Sequence, residues 1–160
     1  MRHILFIEPK SGLRAKCELL DEQAPRSAEF LWQLGLQSFT CDAMHAIWTG
    51  PELSVPLPAS ILPDTLASDL VPAENATSFP NAGEIVLASL AAGSKKGLPP
   101  GNFFDIGVFY GQGGRMLMPF GWIEVNVCAK IVDADMVDAV AAIKSIQKHG
   151  ACRLTIEACQ

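Results

Sequence analysis

Between Leu13 and Leu19 every second residue is apolar: Leu13, Ala15, Cys17 and Leu19 alternate with Arg14, Lys16 and Glu18. A strand turns successive side chains to opposite faces, so a period of two describes a strand with one face buried and one wet. The pattern returns at Phe39, Cys41, Ala43, His45 and Ile47, set against Thr40, Asp42, Met44 and Ala46. It returns again in Ala151 to Ala158, where Cys152, Leu154, Ile156 and Ala158 form the inward face. A chain with many short, half-buried strands must press those faces together and must also dispose of its sheet edges. That double requirement constrains the fold more than any other feature.

The order of elements follows from the same reading. His3 to Glu8 and Leu13 to Leu20 form a hairpin about a turn at Pro9-Lys10-Ser11-Gly12. Ala24-Pro25 opens a helix whose stripe is Ala28, Leu31, Trp32 and Leu34 and which stops at Gly35. The strand from Phe39 is predicted to be central. Residues 51–80 hold six prolines (51, 56, 58, 63, 72 and 80), which leaves room for one short strand, long connections and a turn or two of helix near Leu62 to Leu66. Glu84 to Leu90, Asp105 to Tyr110 and Trp122 to Val132 supply three more strands. Asp133 to His149 is the second helix, with Asp133 as its cap and Met136, Val140, Ile143 and Ile146 or Gln147 as its buried stripe. Few segments are suited to parallel crossovers, so the pairing is antiparallel. The expected fold is mainly β: a closed antiparallel barrel of about eight strands, with two α-helices over its ends, in a single domain spanning 1–160.

Composition excludes several classes. The 160 residues are 49% hydrophobic with a mean hydropathy of +0.25, yet runs such as Ile4 to Ile7 fall far short of the ~20 residues of a spanning helix. No membrane segment is expected, and the amino terminus is too short in its apolar part for a secretory signal. With 12 Lys+Arg against 17 Asp+Glu and no basic cluster, a nucleic-acid surface is not expected either. Five cysteines (17, 41, 128, 152 and 159) form no C-x-x-C pair and suit a reduced cytoplasm, most of them serving as small hydrophobes. Histidines 3, 45 and 149 have no ligand spacing, so neither a metal nor a cofactor is called for.

The order of elements resembles that of cyclophilins. The stretch Ala24-Pro25-Arg26-Ser27-Ala28-Glu29-Phe30-Leu31-Trp32-Gln33-Leu34, with His45-Ala46-Ile47-Trp48-Thr49-Gly50 and Tyr110-Gly111, is similar to an uncharacterised bacterial family with a cyclophilin-like fold. Cyclophilins rotate X-Pro bonds with an arginine in a Phe-His-Arg-Val-Ile type motif. The counterpart by order, Met44-His45-Ala46-Ile47-Trp48, keeps a histidine and lacks the arginine, so the resemblance implies the fold and speaks against ordinary isomerase chemistry.

His45 is the polar residue of most interest, since an imidazole titrates near neutrality and serves as acid, base or hydrogen-bond donor. It also suits a hydrogen-bonded core position. Phe109, Tyr110, Phe120 and Trp122 surround the loop 111–121, and in the strand from Trp122 the polar face carries Asn126. Gly111-Gln112-Gly113-Gly114-Arg115 joins two strands, so it reads as a flexible hairpin and not as a phosphate loop, with Arg115 placed to hold an anion. The expected site comprises His45 as the catalytic candidate, with Trp48, Thr49, Gly50, Tyr110, Gly111, Arg115, Phe120, Trp122 and Asn126 as ligand contacts. The expected function is binding of a small molecule, extending to conversion of a small metabolite. A peptide-binding or prolyl-isomerase-like module and a structural homo-oligomer remain alternatives.

Overall fold

A computed structural model describes residues 1–160. Its strands are β1 (His3–Glu8), β2 (Leu13–Leu19), β3 (Phe39–His45), β4 (Glu52–Pro58), β5 (Ala76–Thr77), β6 (Glu84–Leu90), β7 (Phe103–Phe109), β8 (Leu117–Met118), β9 (Gly121–Trp122), β10 (Val125–Ile131) and β11 (Ala151–Cys159). The helices are α1 (Pro25–Leu36), the one-turn α2 (Asp64–Ala67) and α3 (Asp133–His149). Strands run in the order β2-β1-β11-β3-β4-β7-β6-β10, and β10 returns to β2, closing an antiparallel barrel of eight strands. The expected barrel is therefore present, with the short α2 as a third helix in the proline-rich segment. No helix is long and apolar enough to cross a membrane.

Odd residues of β4 and even residues of β7 fill the interior: Leu53, Val55 and Leu57 meet Phe104, Ile106 and Val108 in a core that also takes in Phe30, Leu31 and Leu34 of α1 and Ile143 and Ile146 of α3. Phe30 stacks on Phe104 at 4.8 Å between ring centroids, and burying one such ring contributes about 1.5–3 kcal/mol. Gly35 keeps α1 close to β11, since a Cβ there would stand 2.7 Å from the Ala158 amide nitrogen. The helix runs one residue beyond Gly35 to Leu36. Its first turn has no cap of its own; instead the Glu74 carboxylate accepts the Arg26 and Ser27 amides at 3.0 and 3.2 Å, satisfying two of the donors that a helix start leaves open.

Prolines 56 and 58 lie inside β4 without breaking it. The even residues of β4 turn their backbone groups towards β3, as the Ala46 amide donating to the Glu52 carbonyl shows. Pairing with β3 ends at Ser54, so the missing proline donors fall where no partner strand remains.

Four expectations need correction. The cap of α3 is Val132, without a side-chain bond, since Asp133 is already the first helical residue; Asp135 in the first turn accepts the Lys16 amide at 2.8 Å. Its buried face is Ala139, Ala142, Ile143 and Ile146, with Met136 and Val140 packed at the margin. Ile47 is 89% exposed because β3 ends at His45 and the alternation stops there. Trp122 to Val132 is not one alternating strand, because β10 carries a bulge between Val127 and Ala129. The extra residue inverts the faces: Val125 and Val127 point outward, whereas Cys128, Ala129 and Ile131 join the barrel core.

Candidate functional site

The bulge and the strand parity together build a second, smaller apolar layer outside the barrel. Val86 and Ala88 of β6, Phe109 of β7 and Val125 and Val127 of β10 point away from the interior, and Met116 and Ile123 cover them. The covering segment is held by backbone bonds from the Arg115 amide to the Thr49 carbonyl (3.1 Å) and from the Met116 amide to the Ser78 carbonyl (2.8 Å). β8 and β9 form a hairpin on top.

Between this cover and the outer face of β4, β6 and β7 lies a cleft of about 190 Å³. Its walls are apolar, including Val86, Ala88, Leu90, Met116, Phe120 and Ile123. One polar corner interrupts them. Glu52, Ser54, Asp105 and Gly107 share the outer face, because Ser54 pairs with Gly107 and Asp105 with Pro56 across β4 and β7. The Glu52 carboxyl lies over Gly107, where an added Cβ would come within 2.0 Å of Oε2. Thr49 donates its hydroxyl to Glu52 Oε1, and Ser54 donates to Asp105 at 3.0 Å.

Glu52 is only 4% exposed, and its Oε2 accepts no hydrogen bond. Since no enclosed side-chain oxygen lacks a partner, that oxygen opens into the cleft. Burial pushes Glu52 well above the ordinary carboxyl range, and the neighbouring Asp105 charge adds to the push against the Thr49 hydrogen bond. Asp105 retains partial access to the cleft and is also raised, by burial, against the pull of the Ser54 hydroxyl and the Val55 amide. Each carboxyl therefore keeps its proton to a higher pH than an isolated one, and a charge on Asp105 opposes ionisation of Glu52.

At the mouth, His45 Nδ1 lies 2.9 Å from the Ala46 carbonyl and Nε2 lies 2.6 Å from the Tyr110 hydroxyl. A carbonyl only accepts, so Nδ1 carries a proton, and in the neutral ring Nε2 accepts from Tyr110. Both ring nitrogens are thus engaged within the protein, and His45 reaches a ligand through Nε2 only by giving up Tyr110. Burial raises the Tyr110 hydroxyl, which keeps it a donor.

Of the residues expected from sequence, His45, Trp48, Thr49 and Phe120 line this cleft. Gly50 and Arg115 are not among the lining residues: Gly50 lies near the Arg115 side chain, and Arg115 is exposed and donates to the Gly113 carbonyl at 3.4 Å. Tyr110 touches the cleft only through His45, and Gly111 packs near Pro51. Trp122 is 53% exposed against Phe79, with ring centroids 5.5 Å apart. Asn126 is buried elsewhere: it accepts the Glu74 amide (3.0 Å) and donates to Ser27 Oγ and the Pro72 carbonyl (both 2.9 Å). It is a tie between β10, α1 and the 72–74 segment.

Sequence reasoning missed Glu52, Ser54 and Asp105. The available signal was a lone acid in an otherwise apolar strand, Asp105 within Phe103–Phe109. The five cysteines are free, and burial pushes Cys152 up to about 11 and Cys17 and Cys128 further, so these thiols are unreactive.

A closed eight-stranded barrel flanked by helices, with its cleft on the outside of the wall, is a cyclophilin-like fold. The chain belongs to the family described as protein of unknown function (DUF3830), which it matches over residues 7–158. No curated protein matches it in sequence. Among solved structures it is similar to McbB in complex with tryptophan (TM-score 0.62, 17% identity), covering 98% of this chain and 44% of that one. The chain thus spans less than half the length of McbB. It is also similar to a cyclophilin type peptidyl-prolyl cis-trans isomerase of Cryptosporidium parvum (TM-score 0.52, 14% identity, covering 99% of this chain and 98% of that one). The Mimivirus cyclophilin is a third (TM-score 0.51, 8% identity, covering 99% and 88%). At these identities the likeness is one of fold.

Proposed function

We propose that this protein binds a small organic molecule in the outer-face cleft, the apolar walls taking its body and the Glu52–Asp105 corner its polar group. One observation carries this reading: two carboxyls are buried on a sheet face that is otherwise hydrophobic, without a lysine or arginine among the cleft residues. Burying a charge without a partner is costly, and groups displaced this far from their ordinary titration are concentrated at functional sites. The cleft is smaller than the 300–1,000 Å³ of sites for drug-sized ligands, which favours a compact ligand. McbB, similar in fold, is described in complex with tryptophan, which supports a small ligand in this fold without fixing the chemistry here. In a catalytic form of this reading, the carboxyl pair supplies and receives the proton, and His45 with Tyr110 positions the mouth.

The test is a fragment panel followed by chemical-shift mapping on the isotope-labelled chain. Binding should perturb amides of β4, β6, β7 and residues 116–123, and Ala88→Leu, which fills the cleft, should remove it while leaving the fold intact. Binding that maps elsewhere, or none across the panel, would sink the reading.

A second reading, self-association, is favoured by the exposed pair Phe79 and Trp122, 63% and 53% accessible. Light scattering at micromolar concentration should then give a mass above that of one chain, and Trp122→Ser should reduce it.

A further inference from the structure

From the unpartnered Glu52 Oε2 in a cation-free, apolar cleft, we infer that the ligand is an organic cation, a compact ammonium compound whose N–H groups donate to Glu52 and Asp105. This inference rests on the small-molecule reading above and specifies its substrate class.

Donors and charge decide the ligand class. The four carboxyl oxygens of the corner have two side-chain donors, the hydroxyls of Thr49 and Ser54. Each hydroxyl carries one proton, so Oε2 of Glu52 faces the cleft with nothing donated to it. The elements packed around the pair offer no positive charge. β3 contributes His45, already engaged at both nitrogens; β6 contributes Val86, Ala88 and Leu90; β10 contributes Val125; the covering segment contributes Met116, Met118, Phe120 and Ile123. Lys95 stands outside, 5.8 Å from the Phe120 ring centroid, and Arg115 is turned to the Gly113 carbonyl. An anionic ligand would meet two acids and no counter-charge. A neutral ligand would satisfy Oε2 with one hydrogen bond at most strength for an uncharged donor, whereas an ammonium group brings up to three donors and the opposite charge.

Burial raises both carboxyls towards the protonated form, and an ammonium group favours the ionised one. Binding therefore exchanges one cation for another: the ammonium enters and a proton leaves to solvent, so the charge of the corner changes little. Phe120, Trp48 and Met116 would take the apolar body.

Benzylamine, benzyl alcohol and benzoate share one ring and differ in charge, and they make a decisive set. Titrated at pH 7 and followed by chemical shift, benzylamine should bind at least tenfold more tightly than benzyl alcohol, with benzoate weakest. Calorimetry in buffers of different ionisation enthalpy should show proton release on benzylamine binding and none on benzyl alcohol binding. Glu52→Gln should abolish both the preference for benzylamine over benzyl alcohol and the proton release; Asp105→Asn, which keeps an acceptor for Ser54, checks the result should the first variant lose stability. Equal or tighter binding of the alcohol or benzoate within the cleft would overturn the cation inference and leave the small-molecule reading standing. If none of the three binds, the cation inference fails; if a broad fragment panel also leaves the cleft amides unmoved, the small-molecule reading fails with it.

Discussion

Gly107→Ala should be destabilising, and the loss should depend on Glu52. Gly107 lies mid-strand in β7 with ordinary extended geometry, so the backbone itself would accept alanine, which by reducing unfolded-state freedom would contribute roughly 0.4–1 kcal/mol in favour of the fold. The opposing term is steric. The new Cβ would meet Glu52 Oε2 at 2.0 Å, Val86 Cγ2 at 2.9 Å and Glu52 Cδ at 3.0 Å, where ordinary contacts between carbon atoms fall near ~3.5–4.0 Å. Glu52 can swing away, but doing so breaks its bond from Thr49 and moves the carboxyl out of its corner. Overpacking of this kind costs about 1–3 kcal/mol, so the net loss should be about 1–2 kcal/mol. In a Glu52→Ala background two of the three clashes vanish, and the same change should be close to neutral. A double-mutant cycle by urea unfolding, at a pH low enough to protonate the carboxyls, should give a coupling of about 1–2 kcal/mol between the two sites. Additivity within about 0.5 kcal/mol would mean that Glu52 does not lie over Gly107, and the geometry of the corner would be wrong.

The carboxyl pair also sets a pH dependence. Because both groups are raised in the folded chain, the native state holds more protons than the unfolded one above the ordinary carboxyl value of about 4. Stability should therefore fall as pH rises from that value through the raised ones and level off beyond; Glu52→Gln should flatten the slope measured by thermal unfolding, and an unchanged slope would refute the assignment. Asn126→Ala removes three hydrogen bonds and strands the Glu74 amide and Pro72 carbonyl, so urea unfolding should show a loss of about 2–4 kcal/mol, whereas a loss below 0.5 kcal/mol would return Asn126 to the candidates for ligand contact. No arginine lines the cleft, so a protease-coupled assay should show no acceleration of X-Pro isomerisation; a rate above the uncatalysed one would revive the isomerase reading.

Much of the barrel was legible because its signals are local. β2 and β11 alternate cleanly, Pro25 opens α1, and Gly150 closes α3 at a positive φ of 83°. The bulge in β10 was hidden because Val127, Cys128 and Ala129 are all apolar, and an inserted residue among similar neighbours leaves no mark on the alternation. The proline-rich stretch allowed one short strand without placing it, for a different reason: whether Pro56 and Pro58 interrupt a strand depends on where its neighbour stops, a fact of tertiary pairing. The site suffered most. His45 and Thr49 stood out by type and position, but Glu52 and Asp105 come together only through the β4–β7 register, and nothing local in the sequence specifies which strand lies beside which.

The cleft residues supplied by β4, β6 and β7 all point away from the barrel interior, since strand parity sends their immediate neighbours inward. Variation at positions such as Ser54, Val86, Ala88 or Leu90 therefore leaves the volume of the barrel core unchanged. Related chains are free to diverge in what they recognise while inheriting the same scaffold, and Gly107, pressed beneath Glu52, is the position where that freedom ends. Divergence across the family should follow this division: wall positions drifting with ligand, interior positions held by packing, and residue 107 changing only in step with residue 52.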